Sequence, residues 1–176
     1  MTDSMRTVTA DRNTRAIAGL RIAVGILFLF FGEYKVFGTR FVFGGGFENW
    51  INRFLAEHAA YPFMVPVLRD FVLAHATPIA LLVAYGELAI GLSLTAGLWT
   101  RAASVCGFIY MLSLMFASNY PGADVAPWQY PGAALDHLVL VFCFAALAIG
   151  DPDRSMSVRA YVERRRAEPR RTTPIG

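Results

Sequence analysis

Charge is scarce in this chain. Asp, Glu, Lys and Arg make up 16% of its 176 residues, against 56% hydrophobic residues. A soluble domain of this size would then expose large apolar patches, so water is the wrong solvent for most of it. Cysteine is nearly missing. Cys106 and Cys143 both lie in apolar stretches, with no Cys-x-x-Cys and no metal-type spacing, which argues against a disulfide exchanger and against a metal site and leaves packing as their role. His58, His75 and His137 are too scattered to suggest haem. Gly44-Gly45-Gly46 lacks the preceding strand and the following Gly-Lys-Ser/Thr of a phosphate loop, and reads as a flexible hinge. No internal repeat is present, which weighs against a transporter.

What the chain does have is four long apolar runs, at about 17–37, 78–98, 102–119 and 132–149. Each is close to the about 20 residues that a helix needs to cross a hydrocarbon core. The expected fold is all-α, an integral-membrane antiparallel four-helix bundle. The first run comes after an Arg-bearing tail, is too long for a signal core and lacks a small-x-small cleavage site, so it is expected to stay as helix one. Between the first two runs, Phe47, Trp50, Ile51, Phe54 and Leu55 recur at helical spacing among polar residues. They predict an amphipathic outer-loop helix, on the membrane surface or over the bundle mouth. A second short helix over about 63–75 is expected to lead through Thr77-Pro78, as N-cap and first-turn proline, into the second span. Tyr120, Trp128 and Tyr130 suit an aromatic interface belt.

Positive charge sets the orientation. Arg6, Arg12, Arg15, Arg21, Arg101, Arg154, Arg159, Arg164, Arg165, Arg166, Arg170 and Arg171 fall on one side, whereas Lys35, Arg40, Arg53 and Arg69 are spread over the long outer loop. Both termini are therefore expected in the cytoplasm. This asymmetry accounts for the formal charge of +3 and the pI of about 9.1 without nucleic acid as a partner. The lipid bilayer is the partner these spans require. The expected organisation is a disordered cytoplasmic N-terminus over 1–15, a transmembrane domain over 16–158, and a basic cytoplasmic tail over 159–176.

Function is sought among ionisable groups in apolar surroundings. Glu87 lies near the middle of the second span, where a carboxylate costs about 2.5 kcal/mol or more and needs a partner, a cavity or a proton. Glu33 and Lys35 lie toward the outer end of helix one. Asp136 and His137 lie toward the outer start of helix four, so an antiparallel bundle is expected to bring these four to similar depth and form a polar site open to the outer side. Arg21 and Arg101 belong to the opposite ends, where long side chains snorkel to lipid phosphates. Each has a plainer reading: Glu87 as an ion-pair member that fixes packing, Lys35 as an interface marker, Asp136 as a helix-dipole charge, His137 as a hydrogen-bonded interface side chain. Gly25, Gly32, Gly86, Gly91 and Gly97 permit close helix contact.

Leu20-Arg21-Ile22-Ala23-Val24-Gly25, then Phe31-Gly32-Glu33-Tyr34-Lys35, resembles the Arg-x-x-x-Gly and Gly-x-x-Lys pattern of the DoxX/DoxD superfamily. Gly86-Glu87-Leu88-Ala89-Ile90-Gly91 and Gly97-Leu98-Trp99-Thr100-Arg101 resemble its Glu-x-x-x-Gly helix and its Gly-Leu-x-Thr-Arg turn, and Gly150-Asp151-Pro152-Asp153-Arg154-Ser155 is similar to its exit from helix four. The resemblance runs over about 17–158. It implies a bacterial inner-membrane protein linked with redox complexes, including a quinone-reducing thiosulfate dehydrogenase subunit and proteins associated with terminal oxidases. Arg21, Lys35, Glu87 and Arg101 match its recurring polar positions.

Two readings stay open. In one, the chain is a quinone-handling subunit of a respiratory or sulfur-linked complex. Glu87, Lys35 and Asp136 carry the proton chemistry, His137, Glu33, Arg21 and Arg101 line the binding site, and electrons come from a partner subunit. In the other, it is a non-catalytic structural or assembly subunit whose buried charges hold helices together. Either admits other membrane or outer-side subunits, or a homo-oligomer, as partners.

Overall fold

A computed structural model describes residues 2–38, 40–150, 152–153 and 155–167, with side chains from residue 12 onward except those of 163, 164, 166 and 167. Among these residues every regular element is helical. Helix α1 spans Thr2–Glu33 and runs into a π-helical turn, Tyr34–Gly38. Then come α2 (Gly46–Ala56), α3 (Met64–Pro66) with a π-helical continuation Val67–Val72, α4 (Ala76–Ala96), α5 (Thr100–Ser118), α6 (Gln129–Ala133), α7 (Leu135–Ile149) and α8 (Val158–Ala167).

Three stretches are long and apolar enough to cross a membrane: Arg12–Gly38, Ala76–Ala96 and Thr100–Ser118. The last apolar run behaves differently. Pro131 and Gly132 fall in the short α6, Ala134 leaves helical geometry at φ −106° and ψ 20°, and α7 proper has 15 residues. At the N-terminus the expected disordered tail is instead helical back to Thr2. Residues 2–18 contain neither proline nor glycine, so nothing stops the helix nucleated by the apolar run from propagating backward. The predicted basic tail is described as far as residue 167, within the last helix; Arg170 and Arg171 lie outside the described residues, as does Arg154 ahead of the tail.

The long helices pair in sequence-distant couples, α1 along α4 and α5 along α7, with the couples meeting through α4 with α5 and α1 with α7. Glycine sets the closeness of the first couple. A Cβ on Gly25 would stand 2.8 Å from the Thr95 backbone nitrogen, and one on Gly91 would stand 2.9 Å from the Gly25 carbonyl oxygen. The two backbones therefore touch, as small residues allow in lipid. In the second couple Gly107 accepts the ring of Phe144, with which a Cβ would collide. Val24, Phe28, Leu94, Met111 and Phe144 fill the space between the couples. Phe30, Leu82, Leu92, Ile109 and Phe142 are left more than half exposed on the outside, an arrangement suited to lipid.

A cap closes one end. The 40–75 segment buries Phe41, Phe47, Ile51, Ala60 and Leu68 against Ala76, Ala80, Ala84 and Ala117 of the long helices. Tyr61 N–H donates to the Phe116 carbonyl at 2.9 Å, and Tyr120 N–H to the Ala59 carbonyl at 2.8 Å, tying the cap to the end of α5. The amphipathic helix is present as α2, with Phe47 and Ile51 as its buried stripe and Trp50 outward. In place of the expected hinge, the glycines before it form a tight turn. Gly44 and Gly46 N–H both donate to the Arg40 carbonyl, Gly45 sits at φ +76°, and a Cβ on Gly44 would collide with Arg40 Cβ. The second short helix also differs, being largely π-helical, and α4 starts earlier than expected, with His75 as N-cap and Pro78 inside its first turn.

Candidate functional site

One carboxylate joins three helices at the capped end. Glu87 lies on α4 with only 3% of its side chain exposed, and its Oε1 pairs with Lys35 Nζ from the π-helical turn after α1. The Tyr110 hydroxyl on α5 donates to the same Oε1 at 2.5 Å and lies 3.5 Å from Lys35 Nζ. Among the described residues Glu87 Oε2 is buried without a hydrogen-bond partner. An intramembrane acid needs such neighbours, because hydrocarbon offers neither water nor counter-ion.

Local structure explains how Lys35 reaches it. A π-helical turn adds a residue to the helical repeat and rotates the side chains beyond it, a device that often sits at functional sites. Lys35 is the chain's single lysine, all other bases being arginine. Its side chain is 22% exposed, and the ammonium stands 5.6 Å from the centre of the Phe41 ring of the cap. That geometry adds a cation–π attraction. The exposed part of Lys35 looks into a cleft of about 390 Å³, walled also by Val36, Arg40, Val42, Leu81 and Tyr85. Lys35 is therefore shared between a buried acid and an open cleft.

The remaining predicted residues sit elsewhere. Glu33 is exposed on α1 and takes no part in the cluster. Asp136, 70% exposed at the side-chain level, accepts the His137 backbone N–H at 2.9 Å and lies 3.1 Å from His137 Nδ1. The pair stands as a local unit at the start of α7, and neither residue is joined to Glu87. Arg101 is exposed at the start of α5, at the end opposite the cap.

Arg21 does not snorkel. It is fully buried, with Nη1 donating to the Leu94 carbonyl in the last turn of α4 and Nη2 to the Met156 carbonyl at 2.7 Å. A helix C-terminus leaves carbonyls without intrahelical partners, and the guanidinium fork satisfies one while holding the segment ahead of α8. Space for it comes from Gly97, at φ +71°, where a Cβ would come within 2.6 Å of Nη1. Asp153 supplies the nearby opposite charge.

Sequence reasoning missed Tyr110. The signal was present: a phenol in the middle of an apolar span must find a hydrogen-bond partner when buried. Glu87 on the adjacent antiparallel helix is the acceptor.

Fold and site together define an all-helical membrane protein with a buried Lys–Glu–Tyr cluster at its capped end. The DoxX family model matches residues 16–119. The chain belongs to the DoxX family, and the match covers the helices carrying Lys35, Glu87 and Tyr110. No curated protein and no solved structure matches it.

Proposed function

We propose that the protein is a membrane subunit of a respiratory or sulfur-linked redox complex that holds a quinone headgroup in the cleft beside Lys35. The observation that carries this reading is the double position of Lys35, ion-paired to buried Glu87 and exposed to a cleft of about 390 Å³. That volume falls within the about 300–1,000 Å³ of small-molecule sites. The cleft fits the ligand's chemistry: Lys35 and Arg40 donate hydrogen bonds toward carbonyl oxygens, and Tyr85 and Leu81 supply apolar walls.

Reducing a quinone to a quinol takes two electrons and two protons, and a partner subunit supplies the electrons. In this chain Lys35 is the proton donor at the cleft and regains each proton from water entering the open cleft, once for each of the two protons, while the Glu87 carboxylate, held by the Tyr110 hydroxyl, keeps the amine in its charged form. Asp136 and His137 are outside this relay, and Arg21 serves the opposite end of the helices.

The chain is placed in the bacterial inner membrane with both termini cytoplasmic, on the strength of its arginine distribution. α7 is taken as the fourth span: its 15 residues reach about 22 Å, and it lies along α5. A second reading, a structural or assembly subunit, is favoured by one observation. Lys35 and Tyr110 both bind Glu87 Oε1 and so tie three helices together, as interhelical glue would.

The two readings separate on purification of the full chain in mild detergent, with mass spectrometry of retained quinones and subunits. Quinone retained by the wild type, and lost both in Glu87→Gln and in Tyr85→Trp, which fills the cleft while leaving all three cluster residues in place, supports the redox reading. A stable protein partner with no quinone in any sample supports the structural one.

A further inference from the structure

We infer that the groove between the α4–α5 turn and α8 binds one anionic phospholipid of the surrounding bilayer, with its phosphate at Arg101. The groove has a volume of about 1,020 Å³ and lies at the end of the long helices opposite the cap. Its walls are of two kinds. Leu98, Trp99 and Val162 offer apolar surface for an acyl chain, while Arg101, Arg159 and Asp153 carry charge.

The charge arithmetic selects the occupant. Arg159 Nη1 is 3.1 Å from Asp153 Oδ2, the carboxylate that also faces buried Arg21, so the Asp153 charge is already engaged. Arg101 makes no ion pair among the described residues, so its positive charge stands beside a lipophilic wall without a described counter-ion. A phosphodiester with one net negative charge and attached acyl chains complements both.

Position agrees. The turn between two membrane-spanning helices falls at headgroup depth. Trp99 is held there 85% exposed, at φ +50°, a left-handed conformation uncommon for a bulky side chain. Indole at headgroup level is the usual interfacial anchor. On the other wall α8 presents exposed Val158, Tyr161 and Val162 beside Arg159 and Arg165, the pattern of a helix lying in the membrane interface. The proposal stands apart from the quinone site, which lies at the other end.

The test is native mass spectrometry of the full chain in mild detergent, titrated with phosphatidylglycerol or phosphatidylcholine of identical acyl chains. The expected result is one bound phosphatidylglycerol, preferred by about five-fold, the factor that one charge contributes near an anionic surface. Arg101→Gln and Val162→Glu bring the preference to unity, Arg101→Lys keeps it, and Arg53→Gln in the cap leaves it unchanged. Equal binding of the two lipids by the wild type, no retained lipid, an unchanged preference in Arg101→Gln, or a second copy of the chain found seated in the groove would each overturn the inference.

Discussion

Replacing Lys35 with Met strips the cation from a carboxylate that is only 3% exposed. Glu87 keeps the Tyr110 hydroxyl, but Oε2 already lacks a partner, so little remains to stabilise the charge. Breaking a buried pair from one side costs about 3–5 kcal/mol, and the surviving Tyr110 hydrogen bond holds the loss near the lower bound, about 3 kcal/mol. Glu87→Gln strands the ammonium of a side chain that is 22% exposed and opens to the cleft, where water reaches it, and costs about 1–2 kcal/mol. The double variant buries no charge and ends about 2 kcal/mol below wild type, so the two losses do not add and the coupling is about 2–3 kcal/mol. Equilibrium unfolding in mixed micelles, monitored by helical circular dichroism, measures all four corners of the cycle. Additivity within about 0.5 kcal/mol would refute the claim that these side chains form one buried unit.

Gly91→Ala pushes a methyl to 2.8 Å from the Leu29 backbone nitrogen and is expected to cost about 1–3 kcal/mol, whereas Gly86→Ala, with open space around its Cβ, is neutral or mildly stabilising; the same unfolding assay compares them. Arg21→Met leaves the Leu94 and Met156 carbonyls without their donor and loosens the attachment of α8; limited proteolysis is expected to cut ahead of Val158 many-fold faster than in wild type, with equal rates counting against the latch. Burial, then the neighbouring phenols of Tyr130 and Tyr120, push the Tyr61 phenol above its usual value of 10.0. The folded cap therefore holds this proton more tightly than the unfolded chain, so its contribution is complete below about pH 10 and is lost as pH rises further. Tyr61→Phe is expected to remove that part of the alkaline loss in a thermal melt, and an identical alkaline profile would contradict the assignment.

Much of the fold is written in hydropathy. The runs that become α1, α4 and α5 need only length and apolar content to be recognised, and α2 needs only its helical stripe of Phe47 and Ile51. Breaks are harder to see. The interruption at Ala134 comes from Pro131 and Gly132 within an otherwise apolar stretch, and the π-helical turn at Tyr34–Gly38 has no periodic signature at all. At the site, Glu87 and Lys35 stand out because charge in hydrocarbon demands compensation. The pairing itself depends on helix register, which composition does not carry, and so Asp136 and His137 look equally near in sequence although the packing of α7 separates them. Arg21 misleads for a related reason. Its distance along α1 suits snorkelling, but the small residue at Gly97 opens an inward route that only three-dimensional packing reveals. Tyr110 escapes notice because a lone tyrosine among Phe, Ile and Leu reads as bulk rather than as a hydroxyl.

Lys35 offers a direct probe of the central claim, since an amine-directed reagent finds one lysine side chain in the whole protein. The full chain in membranes is acylated with and without a short-chain quinone, and the extent of modification at Lys35 is read by peptide mass spectrometry. Protection of Lys35 by the quinone, abolished in Tyr85→Trp, is the predicted result. Acylation of Lys35 at the same rate with and without quinone would contradict a headgroup site in this cleft and leave the Lys35–Glu87–Tyr110 cluster as an interhelical tie.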